Sequence, residues 1–117
     1  MSDTPTRGNI LAALPERGST EDILKLLERG PVKIERVVSQ GHTSPPGFFH
    51  EQASHEWRFV VQGEVKLEID DPDGGVEVVE LSTGDWVDLP AYRRYRIVET
   101  STDPEAVWLA VHFYTFS

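Results

Sequence analysis

An all-β fold, an antiparallel barrel or sandwich, is what this sequence predicts, and three observations carry the prediction. From Val32 onward, short runs alternate apolar and polar residues with the period of two expected of strands that bury one face. Clusters of turn-forming residues separate these runs at close spacing: Asp70-Asp71-Pro72-Asp73-Gly74-Gly75, Ser82-Thr83-Gly84-Asp85 and Ser101-Thr102-Asp103-Pro104. No helical pattern intervenes, and many short strands without helices between them close into a barrel or stack as two sheets.

Residues 1–9 are polar and are expected to fray. One helix is predicted next. Ser19 and Thr20 are suitable N-caps, Glu21 and Asp22 suit the positive end of a helix, Ile23, Leu24, Leu26 and Leu27 supply an apolar stripe, and Gly30-Pro31 is a stop signal. A helix of about two turns is unstable alone and must pack on a sheet. The expected division is therefore a tail and short helix over residues 1–31 and a barrel over 32–117. Within the barrel, Val32, Ile34, Arg36 and Val38 alternate with Lys33, Glu35, Val37 and Ser39. Further strands are predicted over 48–52, 57–62, 64–70, 76–81, 85–89, 95–99 and 106–116, with a hairpin at Asp70–Gly75.

With 117 residues the chain is long enough for one core and too short for two. Hydrophobic residues make up 38% and charged residues 26%, as in water-soluble globular domains. No apolar run approaches the ~20 residues of a membrane-spanning helix. Met1-Ser2-Asp3-Thr4-Pro5 does not begin a basic and then apolar leader, so no signal peptide is expected. Cysteine is absent, which removes disulfide and thiol chemistry and fits a cytoplasmic protein. The net charge of −9 repels phosphate backbones and anionic membranes, so neither nucleic acid nor membrane is an expected partner. Arg58, Arg93, Arg94 and Arg96 run against this balance. They either pair with surface acids or give a cleft local positive charge.

The segment His50-Glu51-Gln52-Ala53-Ser54-His55-Glu56-Trp57-Arg58-Phe59-Val60-Val61-Gln62-Gly63 is the richest in chemistry. On an extended chain His50 and Gln52 share a face, and Glu56 keeps their parity. Polar side chains converging on a face that should be core need a metal, a ligand or one another. This pattern resembles the first motif of the cupin superfamily, with His50, Glu56 and Gly63 at the family's His, Glu and Gly and Gln52 at its second His. The stretch Gly84-Asp85-Trp86-Val87-Asp88-Leu89-Pro90-Ala91-Tyr92-Arg93-Arg94-Tyr95 resembles the second motif. Gly84 and Pro90 agree with it, Tyr92 stands in place of a Gly, and Tyr95 in place of the last His. The resemblance spans roughly residues 32–116. The Pro45-Pro46-Gly47-Phe48 lead-in is similar to that of small stand-alone bacterial cupins.

The resemblance implies a double-stranded β-helix, the jelly-roll barrel. It also implies a metal set of His50, Gln52, Glu56 and Tyr95 for a divalent ion such as Fe, Mn, Ni or Zn. Imidazole and carboxylate suit these ions. A Gln amide oxygen is a weak neutral ligand, and Tyr binds well only as a phenolate, so this set makes a poor divalent site. His112 shares a strand face with Trp108, Ala110 and Tyr114, and either joins the cluster or is a core His hydrogen-bonded to a Tyr or carboxylate. Arg58 and Gln62 have the parity of Glu56. Arg58 either pairs with Glu56 or holds a ligand carboxylate. His42 and His55 are expected in loops. Trp57, Phe59 and Val61 face the other side, and Trp86, Trp108 and Phe113 are expected to fill core.

The expected function is a small cupin with a degenerate metal site that binds a small polar molecule inside the barrel. The alternative is a metal-dependent oxygenase, isomerase or lyase. A third possibility is a metal-free enzyme. In the metal-free enzyme Tyr95 and His50 are acid and base; in the metal-dependent one His50 and Glu56 ligate the ion, with His112 as a third ligand, and Tyr95 acts as acid/base or orients substrate. Gln52, Arg58, Gln62 and His112 are the expected ligand contacts. Apolar side chains on both faces of Trp57–Val61 predict a homodimer.

Overall fold

The alternation read from the sequence becomes two facing sheets. The structure is a computed structural model, and it describes residues 4–114. Among these the strands are β1 (Asp22–Arg29), β2 (Val32–Ser39), β3 (His55–Gln62), β4 (Val65–Asp70), β5 (Val76–Leu81), β6 (Trp86–Leu89), β7 (Tyr95–Thr100) and β8 (Ala106–Phe113). A five-stranded sheet has the order β1-β2-β8-β3-β6, and a three-stranded sheet the order β5-β4-β7, all antiparallel. The inward positions of β2 to β8, among them Val37, Val60, Leu67, Leu89, Ile97 and Trp108, form one continuous core between the sheets. This is the jelly-roll barrel.

The predicted helix is not formed. Asp22–Arg29 is strand β1, paired antiparallel along β2 from Asp22↔Val38 to Arg29↔Val32. The sequence misled for two physical reasons. Gly30-Pro31 ends a helix but equally turns a hairpin, and Gly30 adopts the positive φ of 53° that such a turn needs. A bulge between Lys25 and Leu27 breaks the period of two, so Ile23, Leu24, Leu26 and Leu27 look helical when counted along the chain. A two-turn helix would have left the edge of β2 unpaired, and the strand satisfies those backbone groups.

The segment before β1 runs along the barrel as a strap. Arg36 Nη1 donates to the carbonyls of Ile10 and Ala12 (3.4 and 2.8 Å), Arg17 Nε to that of Gln40 (2.7 Å), and Gln40 Nε2 to that of Pro15 (3.2 Å). His42 accepts the Gln40 N–H at Nδ1 (2.9 Å), so its Nε2 carries the proton and donates to the Gly18 carbonyl (2.8 Å).

Three smaller expectations are also corrected. Residues 48–52 form no strand; only His50 pairs, in an isolated bridge with Tyr95. His55 is not in a loop but opens β3, where Nδ1 accepts the Ala91 N–H at 3.1 Å. Trp86 is not core: it is 60% exposed, because β6 is an edge strand and Trp86 faces outward beside Trp57. The predicted strand over 106–116 ends at Phe113; its Thr115 and Phe116, like Met1–Asp3 of the predicted frayed tail, lie outside the described residues. Gly63 fulfils its expected turn role for a steric reason. Its φ is 88°, and a Cβ there would come within 2.6–2.9 Å of Ser101, Glu105 and Ala106. Tyr92, where a Gly is usual in the motif it resembles, keeps a glycine-like φ of 65°, and its N–H donates to the Gln52 carbonyl at 2.7 Å.

Candidate functional site

Glu56 and Arg58 alternate on β3 with the inward phase, so the pleat delivers a carboxylate and a guanidinium into the barrel. The neighbouring strands decide what they meet. Register places His112 of β8 beside Glu56, and Leu89 of β6 on its other side. Across the barrel, Tyr95 opens β7, held by its bridge to His50 (N–H···O=C 2.6 and 3.1 Å).

Glu56 is 2% exposed and satisfied on both oxygens. Arg58 donates to Oε1 from Nη2 (2.7 Å) and Nε (2.8 Å). The Tyr95 hydroxyl donates to Oε2 at 2.8 Å, and Gln52 Nε2 to the same oxygen at 3.3 Å. Burial alone would favour the neutral acid. The charges of Arg58 and His112 and the hydrogen bonds from Tyr95 and Arg58 outweigh it and hold Glu56 below the usual carboxylate range. Tyr95 moves the other way: burial, reinforced by the Glu56 charge, raises its hydroxyl far above neutral pH despite Arg58, so it is a phenol. The Arg58 guanidinium also lies 4.2 Å from the centre of the Trp108 ring. Its Nη1 is buried without a partner among the described residues.

His50 stacks on Tyr95 (ring centroids 5.0 Å apart, 26° between planes) and has Phe48 edge-on. Its Nε2 lies 3.4 Å from Ser44 Oγ. Burial, helped by the charge of Arg58, lowers its pKa below 6.5. A lowered folded pKa means that the unfolded chain takes up the proton first. The stability His50 contributes is therefore present above about pH 6.5 and is lost as pH falls through its folded pKa. The melting temperature is expected to drop between pH 7 and pH 5, and His50→Phe is expected to flatten that drop; calorimetry across this range measures both.

Most of the predicted site residues come together: Gln52, Arg58, Tyr95 and His112 approach Glu56, and His50 stacks on Tyr95. His112 Nε2 is 2.9 Å from Glu35 Oε1 and 3.8 Å from Glu56 Oε1, which is the core His paired with carboxylates that the sequence allowed. Gln62 does not join them. A bulge between Val60 and Gln62 turns it to Glu105, whose carbonyl and carboxylate it reaches at 3.1 and 3.3 Å. Arg94 pairs with Asp70 (3.5 Å) and Arg96 with Glu68 (2.8 Å). Arg93 lines a hollow with Gln52, Ser54, Glu56 and Tyr95, and its guanidinium has no partner among the described residues. Sequence reasoning missed Ser44 and Glu21, which the strap and the 40–50 loop bring to the barrel mouth; no motif signals either.

The set implied for a metal does not fit one as arranged. Tyr95 and Gln52 present donors to Glu56 rather than lone pairs to a cation, and a guanidinium already holds the carboxylate. Among the described residues no three His, Cys, Asp or Glu side chains are placed to hold a metal ion. A cavity of about 200 Å³ adjoins the cluster at His50. A larger one, about 370 Å³, lies between β4, β5 and β7, where Lys66 is paired with Glu80 and Glu99 (3.5 and 3.4 Å). With no convergent free groups, the larger one is a surface groove.

The comparisons agree with this architecture. The family model described as "Cupin domain" matches residues 35–112, and the chain belongs to the cupin family. A Ralstonia eutropha protein of known structure is 39% identical with a TM-score of 0.84, covering 95% of this chain and 100% of that one. It carries the provisional name mannose-6-phosphate isomerase. A cupin superfamily protein from Desulfitobacterium hafniense is 18% identical with a TM-score of 0.73, covering 96% and 94%, a likeness of fold. Bacillus subtilis oxalate decarboxylase, described for its Mn(II) centres, shares the fold at 17% identity with a TM-score of 0.62, over 89% of this chain and 32% of that one. No curated protein matches the chain.

Proposed function

We propose that this protein is a cupin in which Arg58 takes the place of a metal ion, and that it binds a small polar molecule beside His50. One observation carries the reading: both oxygens of Glu56 are closed by Arg58, Tyr95 and Gln52. A cation is already present, and its charge is matched. Here Arg58 and Tyr95 hold the carboxylate fixed, and Tyr95 in turn supports the His50 ring that faces the cavity. Elemental analysis of protein purified without chelator or a metal-binding tag tests it. Less than about one-tenth of an equivalent of Fe, Mn, Ni or Zn is expected, and one full equivalent would overturn the reading.

A second reading is favoured by the Ralstonia neighbour's name and by Arg93, whose guanidinium has no partner among the described residues: isomerisation of a phosphorylated sugar, with Arg93 on the phosphate. Conversion of mannose 6-phosphate, followed by NMR and abolished in Arg93→Ala, would establish it.

We also propose that two copies associate through the outer face of the five-stranded sheet, in the cytoplasm. Trp57, Phe59 and Trp86 stack there at 5.8 and 6.1 Å, and Ile23, Leu24 and Leu26 are exposed on β1. Light scattering is expected to give twice the 13.2 kDa chain mass, and Trp86→Lys to give the monomer.

A further inference from the structure

The cavity at His50 is a different environment from the cluster beneath it. Its lining includes Ser19, Thr20 and Glu21 from the strap, Thr43 and Ser44 from the following loop, and His50. Glu21 is the only charged side chain in that lining. Arg58 is not in the lining: its charge is felt at His50 but is matched by Glu56, and Arg93 lines a separate hollow.

The hydrogen-bonding capacity of these groups is largely unused. Ser44 Oγ accepts the Ile97 N–H at 2.9 Å and lies 3.4 Å from His50 Nε2. The other ring nitrogen of His50, Nδ1, has no partner among the described residues. Glu21 accepts from Ser39 Oγ at Oε2 (3.1 Å), and its Oε1 takes no donor among the described residues. The side-chain hydroxyls of Ser19, Thr20 and Thr43 likewise have no partner among the described residues. His42, by contrast, is spent on both nitrogens in pinning the strap.

This inventory selects a ligand. It offers a strong acceptor, a neutral imidazole nitrogen and several hydroxyls that serve as either. An anion would enter against Glu21 with no cation in the lining to receive it. A molecule that both donates and accepts many hydrogen bonds without negative charge matches each group. Size sets the other bound. A cavity of about 150 Å³ holds a benzene ring. About 200 Å³, open to solvent on one side, admits a six-membered ring bearing hydroxyls.

We propose that this cavity takes a neutral polyhydroxylated molecule of monosaccharide size, with Glu21 and His50 as its principal contacts. The inference rests on the metal-free binding reading and names its ligand class. The test is an NMR and calorimetric titration of the full chain with D-mannose, D-glucose, L-arabinose and myo-inositol, against mannose 6-phosphate and gluconate. At least one neutral compound is expected to shift the His50 ring resonances and to bind at least about tenfold tighter than either anion. Glu21→Ala is expected to weaken that binding about tenfold while the fold, judged by the dispersion of the amide resonances, is retained, and Thr43→Ala to weaken it less. Tighter binding of the phosphate or the carboxylate would overturn the proposal. So would no response to any of the four neutral compounds, or binding indifferent to Glu21→Ala. If metal-free protein binds an anion at His50, the underlying reading stands and only this ligand class falls; a stoichiometric metal sinks that reading independently of any sugar.

Discussion

Arg58→Met is expected to destabilise the protein by about 3–5 kcal/mol at pH 7, the cost of leaving one member of a buried ion pair without its partner. Glu56 would keep its burial and its bonds from Tyr95 and Gln52 but lose the charge that balances it. In a chain of this size the melting temperature should fall by at least about 10 °C. The penalty has a pH signature. In the wild type, Glu56 is held below its ordinary 4.5, so its contribution is present above that pH and is lost as pH falls through the folded pKa. Without Arg58, burial dominates and the carboxyl pKa rises, so the difference between variant and wild type should shrink on acidification. Adding Glu56→Gln should recover much of the loss, because a neutral amide can still meet Tyr95. Calorimetry on the two single variants and the double variant closes the cycle. If Arg58→Met melts within about 1 kcal/mol of wild type, the pair is not the centre of the site.

The second large effect concerns metal. Tyr95→His supplies an imidazole, but Arg58 would still engage Glu56, and two cations cannot share one carboxylate in so small a volume. The single substitution is therefore expected to leave zinc and nickel binding weak. Combining it with Arg58→Met frees the carboxylate for the new imidazole, with His112 3.8 Å from Glu56 Oε1 and His50 stacked beside position 95. A gain of at least about 100-fold in zinc affinity over either single variant is expected by isothermal titration. Equal binding by Tyr95→His alone would mean that Arg58 is readily displaced. No gain in the double variant would mean that His50 stays committed to Ser44.

The barrel was legible because its signal is repeated. Alternation such as Val65, Leu67 and Ile69 inward against Lys66, Glu68 and Asp70 outward recurs from strand to strand, and one uncertain strand does little harm. β1 was not legible, because its bulge mimics a helical stripe and its partner edge is visible only once β2 is in place. That Glu56 and Arg58 share a face followed from parity alone; whether His112 and Tyr95 point inward did not. Which of them pair did not, since that depends on a register of strands distant in sequence, as with Glu56 opposite His112. Gln62 shows the converse failure: correct parity, undone by a single-residue bulge. Glu21 and Ser44 were invisible, because loop and strap residues carry no periodicity to read.

The strap also bears on how proteins of this kind diversify. The family match begins at residue 35, and so omits β1 and every strap residue. Yet Ser19, Thr20 and Glu21 form one wall of the cavity. They are tied to the barrel mostly through their neighbours' backbone carbonyls, which any side chain supplies. Apart from Glu21, which bonds buried Ser39, such a wall can be rewritten residue by residue without touching the core or its folding. Selectivity in this barrel is thus separable from architecture, and the segment least recognisable as part of the family is the one best able to change what the protein holds.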